Sequence, residues 1–65
     1  MSNTSEAAVE RIEGLLRERP QGFYAILQSL YDVEYRTILA AWGTLHERDA
    51  LARDHEGNYV LKAGR

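Results

Sequence analysis

The fold is decided by residues 27–38, which read LQSLYDVEYRTI. Apolar residues in this stretch recur at helical spacing, stop at Asp32 and resume with Val33 and Ile38. Aspartate tolerates a left-handed backbone better than most residues other than glycine, so Asp32 fits a tight turn. Glu34 then falls in the first turn of the next segment, where the helix dipole favours an acid. The stretch therefore predicts two helices joined by a short turn.

Apolar spacing on both sides extends this prediction to three helices, at about 5–18, 23–31 and 34–48. Pro20 ends the first helix because proline disfavours helical backbone at the preceding residue. Asp49 ends the third. The side chains predicted to face the core are Val9, Ile12, Leu15 and Leu16, then Phe23, Ile26, Leu27, Leu30 and Tyr31, and then Ile38, Ala41, Trp42 and Leu45.

After the third helix the period of the apolar residues changes. Two short runs, 50–54 and 58–62, flank a glycine-containing turn at 55–57 and predict a β-hairpin. An ordinary three-helix bundle with a disordered tail is the alternative. That alternative accounts for the helices equally well, but it leaves the apolar run after the turn without a role.

The register of the hairpin is open between two loop lengths. A three-residue loop places Leu51, Tyr59 and Leu61 on one face, whereas a two-residue loop pairs Leu51 with Lys62. We favour the three-residue loop because it turns more apolar area inward, and a one-residue slip would move each side chain to the opposite face.

Three helices followed by a hairpin resemble the winged helix-turn-helix family, over about residues 6–62. The places that are usually apolar or small in that family's motif hold Leu27, Tyr31, Val33, Thr37-Ile38 and Ala41. The chain departs from the pattern at Asp32, where glycine is commonest, and at Gln28, where alanine is commonest. The resemblance implies one mainly α domain with a small β-hairpin, spanning 1–65, with flexible ends at 1–5 and 63–65.

Composition restricts the classes of function. The chain has 65 residues, 45% of them apolar, and no cysteine. It is therefore one small domain at most, without disulfides or thiolate chemistry, which fits a reducing cytoplasm. No apolar run approaches the roughly 20 residues of a membrane span, and residues 1–8 lack the features of a signal peptide.

No constellation of an enzyme is present. Ser29 has no hint of a positioned base or oxyanion site, and there is no glycine-rich phosphate loop. His46 and His55 lie nine residues apart, without the close ligand spacing of a metal site. We therefore expect neither catalysis nor a cofactor nor a bound metal.

The resemblance implies that the third helix reads the major groove of double-stranded DNA while other elements contact phosphates. Arg36 can bond a guanine edge in bidentate fashion. Contacts from the hairpin would reach the DNA backbone or the minor groove. The residues expected to contact DNA are Tyr35, Arg36, Thr37, Ala40, Thr44, Arg53, His55, Asn58 and Lys62. This makes a small transcription regulator the first hypothesis.

A second hypothesis follows from the charge. The net charge is −2, and Arg36 is the one cation near the start of the third helix, beside Glu34. An uncharged strip of Leu39, Ala40 and Gly43 is equally typical of a winged-helix adaptor or regulatory subunit that binds protein and no nucleic acid.

Self-association is compatible with either hypothesis. Tyr24 and Tyr35 lie off the predicted core stripes, and tyrosine is enriched at interface hot spots. Either could be a contact or a dimer anchor, and a homodimer would double the cations available to DNA and bury exposed apolar surface. Gly43 costs a helix about 1 kcal/mol relative to alanine, but it would allow a partner to approach closely.

Overall fold

The computed structural model describes residues 4–62, whose elements follow the predicted order. Three helices are followed by two antiparallel strands, an arrangement of the winged helix-turn-helix type. The mainly α fold class with a small β-hairpin is thus confirmed. The elements are α1 (Thr4–Glu18), α2 (Phe23–Ser29), α3 (Tyr35–Glu47), β1 (Leu51–Arg53) and β2 (Tyr59–Leu61). The ends expected to be flexible lie outside the described residues, except that Thr4 and Ser5 are already helical.

One apolar core joins the three helices to the hairpin. α1 packs chiefly against α3 and also against β2. Leu51 of β1 is buried with the helical side chains, a role that a bundle with a disordered tail would not provide. The buried core consists of Ala8, Val9, Ile12, Leu16, Ile26, Leu30, Ile38, Ala41, Leu45 and Leu51.

The end of α2 differs from the prediction. α2 ends at Ser29, and the N–H of the capping residue Leu30 donates to the carbonyl oxygens of Ile26 and Leu27. Ile26 and Leu30 are the buried pair, whereas Tyr31 is 87% exposed. Placing Tyr31 on the core face within a helix over 23–31 was therefore wrong. The chain leaves the helix at Leu30, so Tyr31 lies in the turn and points into solvent.

The turn between α2 and α3 also uses Asp32 differently. Positive φ values among residues 4–62 occur at Asp49 (59°) and Gly57 (87°), so Asp32 does not adopt the left-handed backbone expected of it. The Nη1 atom of Arg11 instead donates to both carboxylate oxygens of Asp32, at 3.1 and 2.9 Å. Asp32 thereby ties the turn to α1.

α3 ends at the predicted place with a Schellman motif. Asp49, with φ of 59°, donates its N–H to the carbonyl of His46 at 2.9 Å. The N–H of Ala50 donates to the carbonyl of Leu45 at 3.0 Å. These two bonds satisfy carbonyls at the end of the helix and turn the chain toward β1.

The hairpin has the register of the three-residue loop. Leu51 pairs with Leu61 and Arg53 with Tyr59, which confirms the favoured alternative. The strands, at 51–53 and 59–61, are shorter than predicted. Gly57 supplies the positive φ that closes such a loop. Gln21, in the linker before α2, adds a bridge to Tyr59 that the sequence did not suggest.

Candidate nucleic-acid interface

The residues of α3 that point farthest from the core form one narrow row along the helix, its outermost line. Arg36, Ala40, Gly43 and Glu47 are spaced by four, three and four residues, so they share one face, and all four are exposed. A Cβ atom built on Gly43 would meet nothing within 4 Å. The small residues at the middle of this line, Ala40 and Gly43, let the helix backbone approach a groove or another helix closely. Within residues 4–62, no neighbouring element packs closely against Gly43.

Arg36 stands at the N-terminal end of that line. Its side chain is exposed and forms no ion pair with any described residue, although Glu34 is nearby in sequence. Its guanidinium therefore keeps all of its donors available for a ligand.

The two flanks of α3 face different neighbours. Tyr35 and Leu39 share one flank with Trp42, whose ring meets that of Phe23 on α2 at 4.8 Å. Thr37 lies on the opposite flank, half-buried, and lines a shallow depression beside Arg11 of α1. Thr37 thus faces α1 more than it faces solvent.

Thr44, a second predicted contact, is also partly engaged. Its Oγ1 donates to the carbonyl of Ala40 at 3.1 Å, a bond within α3 itself. The hydroxyl oxygen still has acceptor capacity, but its proton is used in the helix. Of the α3 residues predicted to contact DNA, the structure leaves Tyr35, Arg36 and Ala40 the most accessible.

The hairpin presents one well-positioned cation. The guanidinium of Arg53 lies 5.0 Å from the centroid of the Tyr59 ring, and its Nη2 donates to the carbonyl of Gly57 at 3.2 Å. Arg53 is exposed and has no carboxylate partner within residues 4–62. The ring contact orients its charge without neutralising it.

The other hairpin residues predicted to bind DNA are less favourable. Lys62 donates to Oδ1 of Asp49 at 2.6 Å, so its charge is neutralised locally. His55 is exposed at the turn between Asp54 and Glu56. Asn58 is half-buried, and its backbone N–H donates to the Asp54 carboxylate at 2.9 Å. The tip of the wing is therefore more acidic than basic.

Ion pairs occupy most of the lysine and arginine side chains within residues 4–62. The pairs are Arg11–Asp32, Arg17–Glu13, Arg48–Glu6 and Lys62–Asp49. Arg19, Arg36 and Arg53 remain without a carboxylate partner in the part that the structure describes. Arg36 and Arg53 are the two that belong to the predicted interface, which limits how many phosphates one copy can neutralise.

An aromatic cluster holds the wing against the helices. The half-buried Trp42 meets Phe23 at 4.8 Å and Tyr59 at 4.9 Å, both edge to face, and His46 at 6.1 Å. Trp42 is packed against the core, as the sequence favoured over an exposed stacking role. The cluster fixes Tyr59, and through Tyr59 it fixes the position of Arg53.

An exposed apolar surface covers the helix-turn-helix segment. Tyr24 is 72% exposed, Tyr31 87%, Tyr35 57% and Leu39 44%, and these are the exposed large apolar side chains of residues 4–62. We call these four residues the tyrosine surface. Tyr31 was missed as a surface residue, because the predicted second helix extended to residue 31 whereas α2 ends at Ser29.

No family model, curated protein or solved structure matches this chain.

No helix among residues 4–62 is both long and apolar enough to cross a membrane. Within the same residues, no three histidine or acidic side chains gather in a way that could hold a metal ion.

Proposed function

We propose that this chain is a winged-helix DNA-binding protein, a small cytoplasmic transcription regulator that reads the major groove with α3. The observation that carries the proposal is the outermost line of α3, which is slender at Ala40 and Gly43 and begins with the unpaired Arg36. A major groove about 12 Å wide admits a helix, and small residues along the contact line allow a deep fit.

Each accessible residue has a role in this proposal. Arg36 donates two hydrogen bonds to O6 and N7 of a guanine, and Ala40 packs against a thymine methyl group. Tyr35, on the flank of α3, donates its hydroxyl to a phosphate. Arg53, oriented by the ring of Tyr59, neutralises a phosphate beside the groove.

The electrostatics predict modest affinity with a shallow dependence on salt. The slope of log affinity against log salt is about −0.9 for each phosphate neutralised. Arg53 is the cation assigned to a phosphate, whereas Arg36 is assigned to a base, so the slope is about −1 per copy. Acidic residues at the wing tip, Asp54 and Glu56, oppose closer approach of the DNA backbone. Specificity would then depend more on the fit of α3 than on total charge.

Titration of duplex DNA against the full chain in a salt series tests the proposal. We expect binding at about 20 mM salt that weakens with a slope of about −1. Arg36→Ala should reduce affinity by about tenfold and relax the preference at one base pair. Arg19→Ala is the matched control, since it removes an exposed, unpaired arginine outside α3 and the wing. Absence of binding by the unaltered chain at low salt would overturn the proposal.

An adaptor that binds protein and not nucleic acid is the second candidate, and the tyrosine surface favours it. Tyrosine is enriched at interface hot spots, and the segment 24–39 exposes three. The two candidates separate in the same titration. The adaptor predicts no DNA binding at low salt, together with a protein complex that is weakened by Tyr35→Ser and unaffected by Arg53→Ala.

A further inference from the structure

The tyrosine surface includes residues of α2, of α3 and of the turn between them. The flank of α3 that carries Tyr35 and Leu39 also carries Trp42, and the contact of Trp42 with Phe23 places that flank beside α2. Tyr24 follows Phe23 directly in the chain. Tyr31 lies in the turn that joins the two helices. The four exposed side chains therefore lie on α2, on α3 and in the turn that joins the two helices.

The size of this surface fits a macromolecular partner. A tyrosine side chain buries roughly 150–250 Å² when it is fully covered. Multiplied by the exposed fractions of the four side chains, areas of this size give a tyrosine surface of about 500 Å² per copy. A standard interface covers about 800 Å² on each partner. The exposed neighbours Gln28, Arg36 and Ala40 can supply the remainder.

The charges around the surface suit a second copy of the same chain. Glu34 and Arg36 are exposed, opposite in sign and without an ion-pair partner among residues 4–62. Asp32, the other acid of this segment, is already paired with Arg11. In a two-fold contact, if residue i meets residue j, then j also meets i. A two-fold axis can therefore pair Arg36 of each copy with Glu34 of the other.

We propose that the tyrosine surface is a self-association site, where two copies pack Tyr24, Tyr31, Tyr35 and Leu39 against each other about a two-fold axis. Arg36 of each copy then faces Glu34 of the other. The apolar anchors supply the affinity, while the two ion pairs set the orientation.

Self-association at this surface has a consequence for α3. Tyr35 and Arg36 cannot face a second copy and a DNA groove at the same time, so the dimer and the DNA complex exclude each other. This consequence rests on the proposed DNA binding, whereas the self-association does not. Salt would shift the balance toward the dimer, because it weakens phosphate contacts more than apolar packing.

Sedimentation equilibrium of the full chain, without DNA, tests the proposal over a range of about 10 µM to 1 mM, where micromolar to millimolar dissociation constants are measurable. We expect a monomer–dimer equilibrium. Tyr24→Ser and Tyr31→Ser should each weaken it at least fivefold. Glu10→Ser, an exposed change on α1, should leave it unchanged. Circular dichroism melts establish that each variant is folded, which the exposure of both tyrosines leads us to expect.

Charge reversal tests the orientation. Arg36→Glu and Glu34→Arg should each weaken the dimer, because either change places like charges opposite each other in both halves of the contact. The two changes combined in one chain should restore it. A monomer throughout the range would overturn the proposal, and so would a dimer indifferent to both tyrosine changes. Because DNA is absent, failure here would leave the proposed function standing.

Discussion

The backbones of Gln21 and Tyr59 exchange two hydrogen bonds, with N–O distances of 3.2 and 2.8 Å. This bridge makes the linker between α1 and α2 a one-residue third strand beside β2. Tyr59 also contacts Trp42 of α3 and lies under the guanidinium of Arg53. The bridge thus anchors the wing on one side while the aromatic cluster anchors it on the other, and Arg53 takes its position from both.

The Gln21 side chain reinforces this anchor. It is 8% exposed, and its Nε2 donates to the carbonyl of Leu15 near the end of α1 at 2.8 Å. Gln21→Ala removes that bond, so the free energy of unfolding in a urea titration should fall by about 1 kcal/mol. Gln28→Ala, at an exposed position of α2, should change it by less than about 0.5 kcal/mol. Equal effects of the two changes would mean that the Gln21 bond contributes nothing.

The face of α2 that packs against the core was predictable from the sequence more accurately than the end of the helix. Its apolar residues at 23, 26, 27, 30 and 31 make a stripe too wide for one helix face to bury. The structure packs the first four of these against the core, and only Tyr31 is misplaced. The helix end explains this, because the chain leaves α2 at Leu30 and carries Tyr31 outward.

Truncating Leu30 and truncating its neighbour Tyr31 should lower the stability by very different amounts. Leu30→Ala opens a cavity in the core and should lower the unfolding free energy by about 2–5 kcal/mol. Tyr31→Ala removes an exposed ring and should cost less than about 0.5 kcal/mol. Urea denaturation of both variants measures the difference. A large loss at Tyr31 would return that side chain to the core face on which the apolar stripe placed it.

The contact between Arg11 and Asp32 should make stability depend on pH in acid. The hydrogen bonds from Arg11 lower the pKa of the Asp32 carboxyl below its ordinary value of 3.8. A carboxyl whose folded pKa is depressed stabilises the fold above its unfolded pKa, and that contribution disappears as pH falls through the folded pKa. Asp32→Asn should therefore be less stable than the unaltered chain near neutral pH, with a difference that shrinks below about pH 3.8.

Thermal melts across pH 2–7 measure that difference. Glu18→Gln, which removes an exposed carboxylate of α1 that has no ion pair among residues 4–62, serves as the control. A stability difference between Asp32→Asn and the unaltered chain that stays constant down to pH 2 would show that the ion pair does not act through this titration.

The candidate interface was predictable where it depends on helix period and unpredictable where it depends on distant contacts. Ile38, Ala41 and Leu45 orient α3, so its outward line follows from the sequence. Lys62 pairs with Asp49, thirteen residues before it and just past the end of α3. The spacing of apolar residues in the sequence carries no information about this contact. Gln21 forms a strand of one residue, which is too short to have a period at all.

Gly43 connects the stability of α3 with its proposed contact. A Cβ there meets nothing within 4 Å, so Gly43→Ala should raise the unfolding free energy by up to about 1 kcal/mol through helix propensity. Because Gly43 lies at the middle of the outermost line, the added methyl group should hold α3 away from the groove and reduce DNA affinity. Fluorescence anisotropy with labelled duplex measures the affinity.

Gly14→Ala is the matched control for that change. Gly14 lies within α1, and a Cβ there also meets nothing within 4 Å. It should stabilise the chain comparably while leaving DNA affinity unchanged. A loss of affinity confined to Gly43→Ala would locate the contact on the outermost line of α3, because stabilisation itself is common to both variants. Unchanged affinity in both variants would remove Gly43 from the DNA contact and leave Arg36 and Tyr35 to form it from the N-terminal turn alone.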